Sequence, residues 1–193
     1  SDVKTKYITS NRILKEIEKL KKEISKIRKK EGSIKMVAFD LKEFWFNDKV
    51  LKDLFLIKSA IDKVGDANVK KLMLASLSSI IKKVSFLDEG QLKVKRDAKK
   101  VINGTWNVEE IYFKRLSRDS ELIESIKPFS KSKLKNIHKI GSAYDLKSFV
   151  KNNSVDLIVT SPPYINAMNY PMYHRYELLI LGLIKPEEYI EHQ

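Results

Sequence analysis

The chain has 193 residues, 42% of them apolar, with a net charge of +13 and no cysteine. That length can bury a sizeable core, whereas disulfides and cysteine-based zinc sites are excluded, and no apolar run approaches the roughly 18 residues needed to span a bilayer. The opening Ser1-Asp2-Val3-Lys4-Thr5-Lys6 carries no secretory signal pattern, so a soluble, cytoplasmic protein without a membrane partner is expected. His138, His174 and His192 are too scattered to suggest a metal cluster. The basic excess favours a polyanionic partner through counterion release, although lysine richness also serves solubility.

From Asn11 to Arg28 the apolar positions Ile13, Ile17, Leu20, Ile24 and Ile27 alternate spacings of four and three, which predicts a helix with a narrow seam, Ser10 as N-cap and Gly32 as stop. The seam covers only about two heptads, fewer than the three or four a coiled coil needs, so packing on its own domain is expected. Phe44-Trp45-Phe46 then forms an aromatic cluster, read as core anchors in preference to a base-stacking platform. A second helix follows with Asn47 as candidate cap. Gly65-Asp66-Ala67-Asn68 breaks the pattern before a third helix over about Val69 to Val84. No proline precedes Pro128, and the first two thirds of the chain read as mainly helical.

Lys93, Lys95, Arg96, Lys99 and Lys100 lie between Gly90 and Gly104, in a stretch of weak apolar periodicity that suggests an exposed loop or hairpin. It is either a solvated surface or an element contacting nucleic-acid phosphates. A further helix is predicted around Val108 to Ile126, with Ile111, Phe113, Leu116, Leu122 and Ile126 as core candidates. Lysines from Lys127 to Lys139 form a second basic tract, equally consistent with a linker. Ile137-His138-Lys139-Ile140 reads as a short strand, followed by a turn at Gly141-Ser142 and a helix to about Lys151. Val155 to Thr160 is a continuous, β-branched apolar run that reads as a strand buried on both faces. Strand, helix and strand in that order have the form of a βαβ unit. A last helix is predicted from about Tyr173 to Leu183.

The apolar run ends at Ser161-Pro162-Pro163, where two prolines lack the donors to extend a central ladder. That leaves a hydroxyl, bare carbonyls and the Tyr164 ring at the carboxyl end of the expected strand, where ligands bind in open α/β sheets. The structural alternative is a strand-ending turn with a buried tyrosine. The stretch Val155 to Tyr164 resembles the catalytic motif of DNA amino-methyltransferases: a small polar residue, Pro-Pro and an aromatic after an apolar strand. The resemblance continues through Ile165-Asn166-Ala167-Met168-Asn169-Tyr170 to His174, Glu177, Leu178 and Leu181-Gly182. It is specific from about Ile137 to Gly182 and looser before it.

The resemblance implies that Ser161, Pro162, Pro163 and Tyr164 are catalytic. An exocyclic amino group is a poor nucleophile whose lone pair is delocalised into the base, and the base must be extruded from the duplex before it can be reached. The Ser161 hydroxyl and the Pro162 carbonyl would accept hydrogen bonds from that amino group while Tyr164 stacks on the base. S-adenosylmethionine is the implied methyl donor, with Ser142, where the family carries an acid, and Thr160 as cofactor-binding positions. Apart from the resemblance, Lys93, Lys95, Arg96, Lys99, Lys100, His174 and Arg175 are the candidate DNA-contacting residues. His174 reads as hydrogen-bonded or DNA-facing in preference to a general base, since proton loss to solvent after transfer is sufficient. The family's second acid is replaced by Asn169.

The family's glycine-rich cofactor loop has no counterpart among Gly32, Gly65, Gly90, Gly104, Gly141 and Gly182. The chain is therefore expected to be the middle of such a protein, with a complementing chain or segment carrying that loop, and to be inactive alone. The expected fold class is α/β, part of a Rossmann-like methyltransferase sheet in residues 131–193, preceded by a largely α-helical region in residues 1–130. The expected function is methyl transfer to DNA in a restriction-modification setting, with cytosine N4 preferred. Adenine-N6, RNA or protein amide methylation, and a non-catalytic DNA-binding or assembly module on the same scaffold, are the alternatives.

Overall fold

In a computed structural model, residues 7–30, 34, 36–39, 42–90, 94–129, 139, 141–161 and 170–187 are described. Helix α1 spans Ser10–Arg28, α2 Lys42–Trp45, α3 Asp48–Asp62, α4 Ala67–Ile81, α5 Ala98–Asn103 and α6 Val108–Ser125. Two 3₁₀ turns follow at Lys127–Phe129 and Ala143–Ser148, and the short helices α7 (Tyr170–Tyr173) and α8 (Arg175–Ile180) come last. No helix among the described residues is long and apolar enough to cross a membrane.

The caps account for several of the boundaries. The Asn47 side chain accepts the Lys49 N–H at 2.9 Å and starts α3, as its position before an apolar-periodic run predicts. Asp66 does the same for α4 by accepting the N–H groups of Asn68 and Val69. Ser10 is not the cap of α1: Thr9 holds that position, and the Ser10 hydroxyl donates instead to Glu124 near the end of α6. Tyr7 donates to the same carboxylate, so the start of α1 is tied to the end of α6. At Gly182 the chain turns through a positive φ of 67°, with Leu183 N–H donating to Leu178 O and Gly182 N–H to Leu179 O. That is a Schellman stop for α8, a conformation glycine adopts without a Cβ penalty.

The core lies among α1, α3, α4 and α6, with α6 laid along α4, α1 along α3, and α3 against α4. Ile13, Leu20, Ile24 and Ile27 bury the expected seam of α1, and Ile17 packs at its margin. Each fully buried Leu or Ile adds about 1.5–3 kcal/mol of transfer free energy. In α6 the inward set is Val108, Tyr112, Leu116 and Ile123, whereas the expected core residue Leu122 is exposed. Polar ties cross this interior as well. Ser76 of α4 donates to Asp119 of α6 at 2.7 Å, Arg115 holds the same carboxylate at 2.9 Å, and the buried Tyr112 hydroxyl donates to Met73 O. Helix α8 adds Tyr176 and Ile180 to the same core.

The expected Rossmann-like sheet is absent from the described residues, where the one β pairing is an isolated antiparallel bridge between Leu87 and Arg96. Thus the α/β fold class is overturned. Val155, Leu157, Ile158 and Val159, read as a strand buried on both faces, are 50–88% exposed. A buried parallel strand requires ladders on both edges and helices on both faces, and no described element supplies either. The crossover helix is missing too: residues 143–148 form a 3₁₀ turn kinked at Asp145 (φ −118°, ψ 51°), shorter than a βαβ crossover requires. The expected strand at 137–140 lies outside the described residues, apart from the non-strand residue Lys139.

Candidate functional site

Two sets of predicted site residues can be followed in the fold. The first is the segment of the Pro-Pro-Tyr motif. Thr160 and Ser161 are described and exposed, while Pro162, Pro163 and Tyr164 lie outside the described residues. Ser142 is spent locally: its hydroxyl oxygen accepts the Tyr144 N–H at 3.2 Å and caps the 3₁₀ turn. The adjacent Gly141 is covered by the Phe149 ring, which occupies the space a Cβ would need. Among the described residues no hydrogen bond links Ser142 with Thr160 or Ser161. A side chain that caps its own turn and a glycine filled by a ring do not fit a cradle for S-adenosylmethionine.

The second set is basic, and two of its members, Arg96 and Arg175, meet at an aromatic patch. Phe86 N–H donates to Trp45 O at 2.9 Å, and the Asp97 N–H donates to Phe86 O at 2.8 Å, so Phe86 and, through it, Asp97 are hung on the end of α2. The Leu87–Arg96 bridge then sets Arg96 above the rings. Its guanidinium carbon lies 4.2 Å from the Phe44 centroid and 5.3 Å from that of Phe86. Arg175, at the start of α8, lies 5.6 Å from the Trp45 ring and 4.6 Å from that of Tyr176, and donates to the Tyr176 hydroxyl at 2.7 Å. Trp45 meets Phe44 edge-on at 4.9 Å and Tyr176 at 5.6 Å. Trp45 and Phe46 are therefore core anchors as expected, while Phe44 stays 43% exposed. Arginine over an aromatic face is worth about 0.5–1 kcal/mol at exposed sites and more when desolvated.

The remaining predicted basic residues divide. Lys95 and Lys99 are exposed, and Lys93 lies outside the described residues. Lys100 is a strut: its ammonium donates to Lys82 O at 3.0 Å and Leu87 O at 2.9 Å and pairs with Glu89 at 2.8 Å. A cation whose donors are filled this way is committed to holding the turn. His174 is exposed, with Nδ1 at 3.6 Å from Glu177 one helical turn on.

A cavity of about 850 Å³ was not foreseen. It opens where the end of α1, the first turns of α3 and the Gly104–Asn107 loop meet, with Arg28, Asp53, Trp106 and Phe113 on its walls. Gly104 is required there, because a Cβ would collide with the Trp106 ring and with Lys100 O. Burial pushes the Asp53 carboxyl up, against the opposing pull of Arg28 and Lys49, while Arg28 itself pairs with Glu109. These residues come from four separated segments, so no local spacing could have revealed them.

No protein-family model matches the chain, and no solved structure matches it. The likeness that sequence comparison does find is to a methyltransferase. The relative is the Type II methyltransferase M.MvaI of Kocuria varians, 27% identical over 158 residues that cover 77% of this chain. The chain spans about a third of that relative's length, 35%.

Proposed function

We propose that this chain is a segment of a DNA methyltransferase that acts on an exocyclic amino group, with Thr160-Ser161-Pro162-Pro163-Tyr164 as the element that grips the base. The observation that carries the reading is the 158-residue likeness to a Type II methyltransferase in a chain that also holds this motif. The Ser161 hydroxyl and Pro162 carbonyl accept hydrogen bonds from the amino group, which draws its nitrogen towards a tetrahedral, nucleophilic geometry. Tyr164 stacks on the extruded base, a contact worth about 1–3 kcal/mol. Cytosine N4 is the preferred target and adenine N6 the next. The net charge of +13 suits the polyanionic substrate.

S-adenosylmethionine would supply the methyl group in this reading, with S-adenosylhomocysteine leaving and the amino proton passing to solvent. It would be held by a glycine-rich loop on a complementing chain or further segment. The test combines the chain with that segment and follows tritiated methyl transfer to DNA, RNA and protein acceptors. Incorporation into DNA that Tyr164→Ala abolishes is the expected result; no label in DNA, or label in RNA or protein alone, overturns it. The exposure of Thr160 and Ser161 and the packed helical body favour a second reading, a DNA-binding or assembly module without catalysis. That reading expects salt-sensitive DNA binding that survives Tyr164→Ala and no methyl transfer with any complementing chain.

A further inference from the structure

Among the basic residues of this molecule, Arg96 differs in how it is held. Its guanidinium lies over the Phe44 and Phe86 rings, and its Nε is sealed from solvent without an acceptor. The indole Nε1 of Trp45 is likewise a buried donor without a partner, and Trp45 meets Phe44, the ring beneath Arg96, edge-on at 4.9 Å. The nearby acids are committed elsewhere. Asp97 caps α5 by accepting from Lys99 and Lys100, Glu89 pairs with Lys100, Glu43 with Lys42, and the Asp88 carboxylate accepts the Gly90 N–H. No hydrogen bond or carboxylate within ion-pair distance holds the Arg96 guanidinium among the described residues.

An arginine so placed has lost much of its hydration to ring faces and has given up its side-chain freedom, yet its charge is not neutralised. The Nε is sealed from any incoming group, but the terminal Nη groups are not sealed and also lack an acceptor among the described residues, so an acceptor arriving from outside completes the arrangement there. The planar fork matches a tetrahedral oxyanion in two-point contact, and the stacking fixes the plane in which that contact forms. We propose that Arg96, stacked over Phe44 and Phe86, is the anchor for a backbone phosphate of DNA. The assignment rests on the reading of the chain as part of a DNA-acting protein and narrows its basic surface to one positioned contact. Lys100, the neighbouring cation, is excluded because backbone carbonyls and Glu89 fill it.

The test measures binding of the full chain to a short DNA duplex as a function of salt. One phosphate contact accounts for about 0.9 in the slope of log affinity against log salt, which is about fivefold in affinity at 0.15 M. Arg96→Gln is expected to lose both, with a thermal midpoint within about 4 °C of wild type. Phe44→Leu keeps the charge and removes the ring beneath it, so it is expected to weaken binding while leaving the slope within about 0.3 of wild type. In a second arm, inorganic phosphate is added at ionic strength matched with chloride. Competition beyond that of chloride that Arg96→Gln removes is the expected result; the same competition undiminished in Arg96→Gln would place the phosphate contact elsewhere and overturn the anchor. Arg96→Gln that binds like wild type overturns the anchor and leaves the methyltransferase reading standing, because that reading is decided by methyl transfer. A wild-type chain that binds no duplex at any salt overturns the anchor as well.

Discussion

Helix α4 and the segment from Val155 to Thr160 are built from similar side chains and meet opposite fates. Met73, Leu77 and Ile81 of α4 are fully buried against neighbouring helices, whereas Leu157, Ile158 and Val159 stand in solvent. The helix satisfies its own backbone and needs only a neighbour for one stripe of side chains. A strand leaves its N–H and C=O groups to be satisfied by other strands, and the described residues contain none that pair with it. Apolar content alone therefore does not bury a segment; the availability of backbone partners does.

Four substitutions break or sharpen that comparison. Leu77→Ala is expected to destabilise the chain by about 2–5 kcal/mol in urea unfolding, since it opens a cavity at a fully buried position. Ser76→Ala comes next, at about 1.5–3 kcal/mol, because it removes a buried hydrogen bond to the Asp119 carboxylate. Asp66→Ala should cost about 1 kcal/mol through loss of the α4 cap. The Arg12 guanidinium beside Asp66 holds its carboxyl below the usual value of 3.8, helped by the Val69 and Asn68 N–H groups. A folded pKa below the unfolded one stabilises above that usual value and loses its effect as pH falls through the depressed one. The difference in Tm between Asp66→Ala and wild type should accordingly shrink below about pH 4. Leu157→Ala is expected to change stability by less than about 0.5 kcal/mol. A loss comparable to that of Leu77→Ala would mean that the 155–160 segment is packed in solution.

Features written in short-range chemistry were legible. Asn47 before an apolar-periodic run starts a helix because its side chain reaches an N–H two residues on. Gly65-Asp66 divides α3 from α4, and the four–three spacing of α1 faces the core where its stripe predicts. Phase within a helix was harder to read: Leu122 and Ile123 are adjacent and both apolar, and only the position of α4 decided that Ile123 turns inward. The motif around Ser161 was legible as a resemblance, and Pro162 to Tyr164 lie outside the described residues. The basic loop was visible as a run of like charges, but nothing in that run distinguishes Lys100, tied to two carbonyls, from Arg96, stacked on two rings.

The division follows the range of the forces concerned. Helix starts, stops and amphipathic stripes depend on groups within about one turn of each other, so they can be read along the chain. Whether Val155 to Thr160 joins a sheet, which lysine is consumed as a strut, and where Arg28, Asp53 and Trp106 enclose a cavity depend on residues far apart in sequence, and only folding brings those together.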